Sequence, residues 1–230
     1  MFGNISFGRN YFPLLVGGLC LLSFFLLGFL VLQFPDNFLD RTNFFSEAAL
    51  PYPWLGNLLK LVSFFGETLV ALLLLLLLSL FFFFTKYPIK LPTIVGLILF
   101  SFSADLLKPL FARDRPGPTI THLTYSYPSG HATFYAVYFG FIFFLLLRSK
   151  ALPKWLRNLL LAFCAFLIVS VGLSRLYLGF HWNSDVLGGY LLGVGLLSIL
   201  IFGQERLSGK SRSAKLGANE NLRVPKRKIG

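Results

Sequence analysis

The chain has 230 residues, of which 56% are hydrophobic and only 13% are charged. A soluble domain has roughly half apolar and a quarter charged residues, so this composition excludes an ordinary cytosolic domain. The 21 Lys and Arg outnumber the 9 Asp and Glu and give a formal net charge of +12, but apolar stretches separate the cations, which argues against a nucleic-acid-binding face. Cys20 and Cys164 lie in apolar runs without CxxC spacing, and they predict neither a disulfide framework nor a zinc site.

Apolar runs that are long enough to cross a bilayer recur along the whole chain, since a spanning helix needs about 20 mostly apolar residues. The predicted spans are Leu14 to Phe34, Leu61 to Phe84, Leu91 to Leu107, His131 to Leu147, Trp155 to Leu173 and Val186 to Phe202. The first run is longer than the apolar region of a secretory signal, so we interpret it as a retained span. We predict an all-α polytopic membrane protein with six transmembrane helices in one bundle over 1–208, followed by a basic, disordered tail over 209–230.

The cations predict the orientation of this bundle, because short cytoplasmic loops carry the excess of Lys and Arg. With both termini cytoplasmic, the inner segments hold 15 of the cations and two acids, and the rest of the chain holds six cations and seven acids. The net charge therefore reports topology. Three segments then fall on the outer face, 35–60, 108–128 and 174–185, and the first is expected to lie along the membrane surface with Trp54 as an anchor.

Polar side chains at membrane depth are candidates for function because they are costly to place there. The outer face gathers cations, a hydroxyl, a helix start and two histidines: Lys108, Arg115, Ser129, Gly130, His131, Arg175 and His181, with Asp185 close behind. Arginine forks and the N–H groups of a helix start suit a phosphate. A neutral imidazole held by a carboxylate can act as a nucleophile, and a second can protonate the leaving oxygen. His181 and Asp185 are four residues apart, which puts them within reach on a helical turn.

Three motifs in this region resemble the signature of the type 2 phosphatidic acid phosphatase family. They are Lys108 with six residues before Arg115-Pro116, then Pro128-Ser129-Gly130-His131, then Ser174-Arg175 with five residues before His181 and three more before Asp185. The resemblance covers roughly 108–185, and the six-span layout extends it to most of the chain. The charge count, which used no motif, puts all three motifs on one membrane face.

The resemblance implies a role for each matching residue. His181 would be the nucleophile that forms a phosphohistidine, and Asp185 would orient it. His131 would protonate the leaving oxygen and then activate the water that resolves the intermediate. The phosphate would be held by Lys108, Arg115, Ser129, the Gly130 N–H and Arg175. The family needs no metal or other cofactor, and the sequence offers no outer cluster of carboxylates of the kind that two-metal phosphatases use.

Other polar residues of the outer face and spans have weaker claims. Three are predicted to be ordinary solvated side chains, namely Arg113, Asp114 and His122. Asp105 lies one turn before Lys108 and is expected either to pair with it or to be protonated within the bundle. Glu67, after Gly66 in the second span, is expected to pair within the bundle or to be protonated there.

These observations predict an integral-membrane lipid phosphate or pyrophosphate phosphatase with its site at the outer, periplasmic face of a bacterial cytoplasmic membrane. The spans that carry the motifs are about 25 Å long against a hydrocarbon core of about 30 Å, which favours an amphipathic substrate at the interface. The candidate substrates are phosphatidylglycerol phosphate, undecaprenyl pyrophosphate, lipid A phosphate and phosphatidic acid. A phosphotransferase or sugar-phosphatase of the same family stays open, as does a lipid transporter that only binds headgroups. We expect the bilayer as the partner, with neither nucleic acid nor an obligate protein partner.

Overall fold

The computed structural model describes residues 11–35, 37–41, 51–85, 90–116 and 125–223, with side chains up to Leu207. The helices of these residues are α1 Phe12–Gln33, α2 Pro53–Phe64, α3 Thr68–Phe84, α4 Lys90–Ser101, α5 Ser103–Phe111, α6 Gly130–Arg148, α7 Lys154–Tyr177 and α8 Asn183–Arg223. No strand occurs in the described ranges. The all-helical prediction is therefore confirmed there, whereas His122 and the segment 42–50 lie outside the described residues.

In the part of the chain that the structure describes, five helical segments are long and apolar enough to span a membrane, and one of them comprises α4 and α5. A bent pair of helices gives a sixth span if the pair is counted as one. The five are Phe12–Gln33, Lys90–Phe111, Gly130–Arg148, Lys154–Tyr177 and Asn183–Leu207. Large apolar side chains cover their outer surfaces, as with Leu91 and Leu106, which are 71% and 76% exposed. Such a surface suits contact with lipid and not with water.

The bent pair is α2 and α3, which meet at an angle of 54° and replace the single span predicted over Leu61 to Phe84. Pro53 starts α2 at a position where its missing N–H does no harm. The chain turns at Phe65 and Gly66, and Glu67 precedes α3 in an extended conformation. A glycine and a carboxylate interrupt the apolar run here, and the break carries Glu67 to the same end of the bundle as the motifs.

The third span is also interrupted, because Phe102 separates α4 from α5. It extends to Phe111, so Lys108 lies in the last turn of α5 and not beyond the end of the span. The helix ends at Ala112, whose φ of 44° is in the left-handed region. Such a residue terminates a helix and redirects the chain, here into the segment of Arg113 and Arg115.

Helices α6 and α8 pack backbone to backbone. A Cβ on Gly189 of α8 would lie 2.6 Å from the Ser129 carbonyl oxygen, and one on Gly193 would lie 2.6 Å from the Ala136 Cβ. Further along, Leu197 of α8 fills the space beside Gly140 of α6, where a Cβ would lie 2.7 Å from its Cδ2. Small residues permit such close helix contacts in membranes.

The close packing holds the second and third motifs together. The backbone N–H of Ser129 donates to the Asp185 carbonyl over 3.0 Å, so the start of α6 is tied to the first turn of α8. At its other end α8 continues to Arg223, into the segment for which the sequence predicts disorder. Its Lys, Ala, Leu, Glu and Arg residues have high helix propensity, and they follow a formed span without a break. The domain boundary at 208 stays a prediction.

Candidate active site

A cavity of about 210 Å³ lies where the motifs meet. Six of the eight predicted site residues line it: Lys108, Arg115, Gly130, His131, Arg175 and His181. The other lining residues are Gly66, Thr68, Ala71, Ser101, Phe102, Asp105 and Phe134. The cavity thus receives residues from α3, α4, α5, α6 and α7 and from the turns between helices, which is why sequence motifs alone do not define its walls.

His181 and Asp185 are in contact, with 3.4 Å between His181 Nδ1 and Asp185 Oδ2. The predicted proximity is present, but its geometry is not that of a helical turn, because α8 begins only at Asn183. Asp185 lies in the first turn, and its Oδ2 accepts the backbone N–H of Trp182 over 2.8 Å. An acidic side chain that reaches back to cap its own helix in this way points its carboxylate at the preceding loop, where His181 lies.

The environment of His181 keeps its imidazole neutral. The residue is 3% exposed, and this burial lowers the pKa of His181 to about 4. The carboxylate of Asp185 acts in the opposite direction, and the charges of Arg175 and Arg115 add to the lowering. At neutral pH the ring therefore carries one proton, and an Nδ1–H facing Asp185 leaves the Nε2 lone pair available to attack a phosphorus atom.

His131 lies in the first turn of α6 and faces the break between α2 and α3. Its Nε2 is 3.6 Å from Glu67 Oε1. A Cβ on Gly66 would lie 2.4 Å from His131 Cδ2, so the imidazole occupies the space that only a glycine leaves. The sequence predicts that Glu67 pairs within the bundle or is protonated there, but it does not identify a partner. The glycine and the carboxylate that interrupt the apolar run at Gly66 and Glu67 are the sequence signal for this contact.

Lys108 stands at the N-terminus of α6. Its Nζ forms an ion pair with Asp105 Oδ1 at 2.6 Å, which confirms the expectation that Asp105 pairs with it. A Cβ on Gly130 would lie 3.6 Å from that Nζ and 3.4 Å from Asp105 Oδ1, so both side chains pack against the first residue of α6. The N–H groups at the very start of a helix have no helical acceptor, and together with a neighbouring cation they favour an anion.

Two arginines complete the cationic wall. Arg175 is buried, donates from Nη1 to Ser63 Oγ over 2.6 Å and lies over the Phe180 ring at 4.4 Å. Its Nε has no hydrogen-bond partner among the described residues. Arg115 donates from Nη1 to the Phe180 carbonyl over 2.8 Å. These contacts fix both guanidinium groups beside His181 and restrict their rotamers in advance of ligand binding.

Two predicted site residues do not line the cavity. Ser129 is fully buried and is the N-cap of α6, with its Oγ accepting the Ala132 N–H over 3.5 Å. The structure therefore gives its hydroxyl a helix-capping contact and does not bring it to the cavity. Asp185 is fully buried behind His181.

The prediction that Arg113 and Asp114 form a solvated pair is wrong for Arg113. Its side chain is only 9% exposed, and it bridges two buried carboxylates, Asp185 Oδ1 and Asp40 Oδ2, each at 2.7 Å. Asp114 is exposed as predicted, although its carbonyl accepts hydrogen bonds from Ser126 and Trp182. The sequence carries no signal for a pair 73 residues apart, because only the folded bundle brings Asp40 to Arg113.

Within the described ranges, no three side chains of His, Cys, Asp or Glu come together as they would around a metal ion. The site consists instead of two histidines, their carboxylate contacts and three cations.

The fold and the site together define an all-helical membrane protein with a cationic cavity that is suited to a phosphate. Residues 89–207, just over half of the chain, match the PAP2 superfamily. The chain belongs to the PAP2 superfamily. The resemblance based on the three motifs is thereby confirmed, and the match also covers all eight predicted site residues.

Two curated relatives are phosphatases by name. Phosphatidylglycerophosphatase B of Bacillus subtilis is 33% identical over 114 residues, which are 46% of this chain and 56% of that protein. Undecaprenyl-diphosphatase of Sulfolobus acidocaldarius is 39% identical over 88 residues, which are 37% of this chain and 36% of that protein. The matched region thus spans about half or less of the length of these relatives.

A solved structure is similar over nearly all of its length. The crystal structure of a transmembrane PAP2 type phosphatidylglycerolphosphate phosphatase from Bacillus subtilis superposes with a TM-score of 0.68 and 25% identity. The likeness covers 86% of this chain and 98% of that one. It includes helices outside the matched family region, so the membrane bundle as a whole is shared.

Proposed function

We propose that this chain is an integral-membrane lipid phosphate phosphatase. The observation that carries the proposal is the cavity in which Lys108, Arg115 and Arg175 surround His181, whose other ring nitrogen faces a buried carboxylate. Three cations match the charge of a phosphate, and a neutral imidazole between them is placed to attack it. Membership of the PAP2 superfamily and the phosphatase names of the relatives support the same reaction class.

In the proposed reaction, Nε2 of His181 forms a bond to phosphorus as the bond between phosphorus and the lipid oxygen breaks. His131 gives its proton to that oxygen, and the lipid alcohol leaves. His131 then accepts a proton from a water molecule, whose oxygen attacks the phosphohistidine and releases inorganic phosphate. Asp185 accepts the Nδ1–H of His181 and stabilises the positive charge that the ring carries in the intermediate.

The cations supply electrostatic stabilisation that is in place when the reaction begins. Charge develops on the equatorial oxygens of the transferring phosphoryl group, and Lys108, Arg115 and Arg175 would surround them. The Gly130 N–H at the start of α6 adds a donor. Ser129 would act through its cap, by holding the first turn of α6 in place, and not through a bond from its hydroxyl to the phosphate.

The proposed substrate class is an amphipathic lipid with a terminal phosphate or diphosphate. Apolar side chains of Ala71, Phe102 and Phe134 line the cavity beside the cations, which suits a headgroup that is joined to a hydrocarbon chain. The names of the relatives point to phosphatidylglycerol phosphate and undecaprenyl diphosphate. We place phosphatidic acid and lipid A phosphate in the same test panel.

We place the site at the outer, periplasmic face of a bacterial cytoplasmic membrane, with both termini inside. The motif ends of α6 and α7 carry the cavity, whereas their opposite ends carry Arg148 and Lys154 with Lys150 between them. Positive residues in a short connection of this kind favour the cytoplasmic side.

The test is phosphate release by the purified protein from the four lipids, with detergent and pH held constant. Converting His181 to Gln should reduce release at least about a thousandfold, because the nucleophile is lost, while the melting temperature stays near that of the wild type. His122→Gln is the matched control and should keep full activity. Incubation with labelled lipid should also yield an acid-labile, base-stable phosphoenzyme in the wild type.

Each alternative has its own outcome in this assay. Full activity of His181→Gln would contradict the mechanism. Turnover that requires an added acceptor alcohol would indicate a phosphotransferase, and binding of the lipids without turnover would indicate a transporter.

A further inference from the structure

Three buried charges form a chain that ends at His181, and the proposed reaction uses only one of them. We name Asp40, Arg113 and Asp185 the charge network. Their side chains are 2%, 9% and 0% exposed. None of the three lines the cavity, so none of them is placed to hold a phosphate there. Buried charges are expensive unless they are fully paired, so this arrangement needs a physical account.

Arg113 joins the two carboxylates through different nitrogens. Its Nη1 donates to Asp185 Oδ1 over 2.7 Å and to Ser184 Oγ over 2.6 Å, and its Nη2 donates to Asp40 Oδ2 over 2.7 Å. Asp185 is left with Oδ2 for His181 and for the Trp182 N–H. The guanidinium fork therefore decides which carboxylate oxygen faces the nucleophile.

Asp40 lies in the connection between α1 and α2, far in sequence from all three motifs, and it is held on both oxygens. Its Oδ1 accepts the backbone N–H of Ser184 over 3.0 Å, and its Oδ2 accepts hydrogen bonds from Ser184 Oγ and Asn37 Nδ2 at 2.6 and 2.7 Å. Burial raises the pKa of Asp40, but the hydrogen bonds from Ser184, Arg113 and Asn37 outweigh it and lower this pKa below its ordinary value. Asp40 therefore stays ionised at neutral pH.

We infer that Asp40 and Arg113 are positioning residues that keep one net negative charge beside His181 and hold Asp185 in the orientation the nucleophile needs. The inference rests on the proposed function. Arg113 fixes the Asp185 carboxylate, and Asp40 offsets the charge of Arg113. Two carboxylates and one guanidinium leave a single negative charge, which matches the single positive charge on the ring of a phosphohistidine. Without Asp40, the charge of Asp185 would be cancelled by Arg113, and the intermediate would lose this stabilisation.

The first experiment separates charge from structural support with two single variants and their combination. Asp40→Asn should lower kcat by roughly 10- to 100-fold, less than the loss of a directly contacting donor, with KM within about threefold of the wild type. Arg113→Met leaves two buried carboxylates facing each other and should fold poorly. Combining Asp40→Asn with Arg113→Met returns the net charge to minus one, and the double variant should therefore turn over at least about fivefold faster than Asp40→Asn alone.

The second experiment does not depend on turnover. Orthovanadate takes the five-coordinate geometry of a phosphoryl transition state and bonds to an imidazole nitrogen, whereas inorganic phosphate does neither. Asp40→Asn should weaken orthovanadate binding about tenfold, because the variant loses stabilisation of the transition state that orthovanadate mimics. It should leave the binding of inorganic phosphate unchanged. A wild type that binds orthovanadate more tightly than Asp40→Asn does and yet hydrolyses none of the lipids would contradict the proposed function. That result would still support the positioning role of Asp40.

A matched control is the ion pair between the partly exposed Arg148 and the buried Glu205, which joins α6 to α8 at the opposite end of the bundle. Glu205→Gln should lower the melting temperature without changing kcat or orthovanadate affinity. Wild-type kcat and orthovanadate affinity in Asp40→Asn would overturn the inference. A double variant that is less active than both single variants would overturn it as well, because that is the result of lost structural support alone.

Discussion

Among single residues, the two histidines of the site differ in their surroundings in a way that matches two roles. His181 is buried, and its Asp185 partner is already shared with Arg113. His131 instead contacts Glu67, whose side chain is 60% exposed. The carboxylate beside His181 is therefore shielded from water, whereas the one beside His131 is accessible. This difference fits the proposed roles, with His181 as the nucleophile and His131 as the general acid.

The lowered pKa of His181 predicts a pH-dependent stability. Its pKa is about 4 in the folded protein against an ordinary value of 6.5. Between these values the unfolded chain binds a proton that the folded chain does not, so stability falls as the pH is lowered through this window. We expect the melting temperature of the wild type in detergent, relative to His181→Gln, to drop by several degrees between pH 7 and pH 4.5.

The comparison needs a histidine that is outside the site. His122→Gln should follow the wild type across the same pH range, because it leaves His181 in place. The melting temperatures of the wild type and His181→Gln could instead change equally with pH. That result would mean that the fold does not keep His181 neutral, and the assignment of its neutral state would be wrong.

The residues found from the sequence are those whose chemistry is written in local motifs. Spacing and family resemblance predict roles for His131, His181 and Asp185, and all three lie at the junction where the motifs meet. The same signals predict no such role for Asp40, Arg113 or Glu67. Their partners lie far away in the chain, and nothing in a single sequence reports which distant charges will be buried together.

Among the helices, the break between α2 and α3 shapes the site. A continuous helix over the same residues would not place a turn at Gly66, and the His131 ring depends on that turn for its space. Long apolar runs are strong signals for spans, and the sequence located them well. Breaks within the spans are harder to predict, because one glycine or one phenylalanine in an apolar helix is usually tolerated.

Substitution at the break should move His131, the proposed general acid. In Gly66→Ala the new Cβ would lie 2.4 Å from His131 Cδ2, so the imidazole must rotate or α3 must shift. Because small displacements of a catalytic group are costly, we expect kcat for phosphate release to fall about 10- to 100-fold. The measurement is steady-state turnover of the preferred lipid, with the melting temperature recorded in parallel.

Gly18→Ala is the matched control, since a Cβ on Gly18 of α1 would meet nothing within 4 Å. This variant should keep wild-type turnover and equal or slightly higher stability, because alanine favours the helix more than glycine does. Equal turnover in Gly66→Ala and Gly18→Ala would mean that the ring of His131 is not confined by the turn.

For the protein as a whole, the asymmetry of charge is the property that the amino-acid sequence reports most directly. It predicts an orientation in which one face of the bundle carries the site and the other carries most of the cations. Amino-acid composition predicts such global properties well, because charge and hydropathy are summed over many residues. The cavity depends on a few specific contacts between helices, and composition does not predict these.

The orientation predicts opposite labelling of two introduced cysteines. In a background of Cys20→Ala and Cys164→Ala, Thr121→Cys should react with a membrane-impermeant thiol reagent added to intact bacterial cells from which the outer barrier has been removed. Ser213→Cys should react only after the cytoplasmic membrane is opened. This follows because Thr121 belongs to the segment 108–128, which the charge count predicts on the outer face, and Ser213 belongs to the cation-rich segment predicted inside. The reverse pattern would invert the proposed topology.

The packing of α8 on α6 also limits how far the two helices can slide along each other. Gly189 and Gly193 are one turn apart, and with the small side chains opposite them they would by themselves tolerate a shift of about one helical turn. Leu197 prevents this, because it is seated beside Gly140 and would be driven into the helix backbone if α8 moved. Leu197, twelve residues beyond Asp185 in the chain, therefore acts together with the hydrogen bond between Ser129 and Asp185 to fix the axial register of the two helices that carry His131 and Asp185.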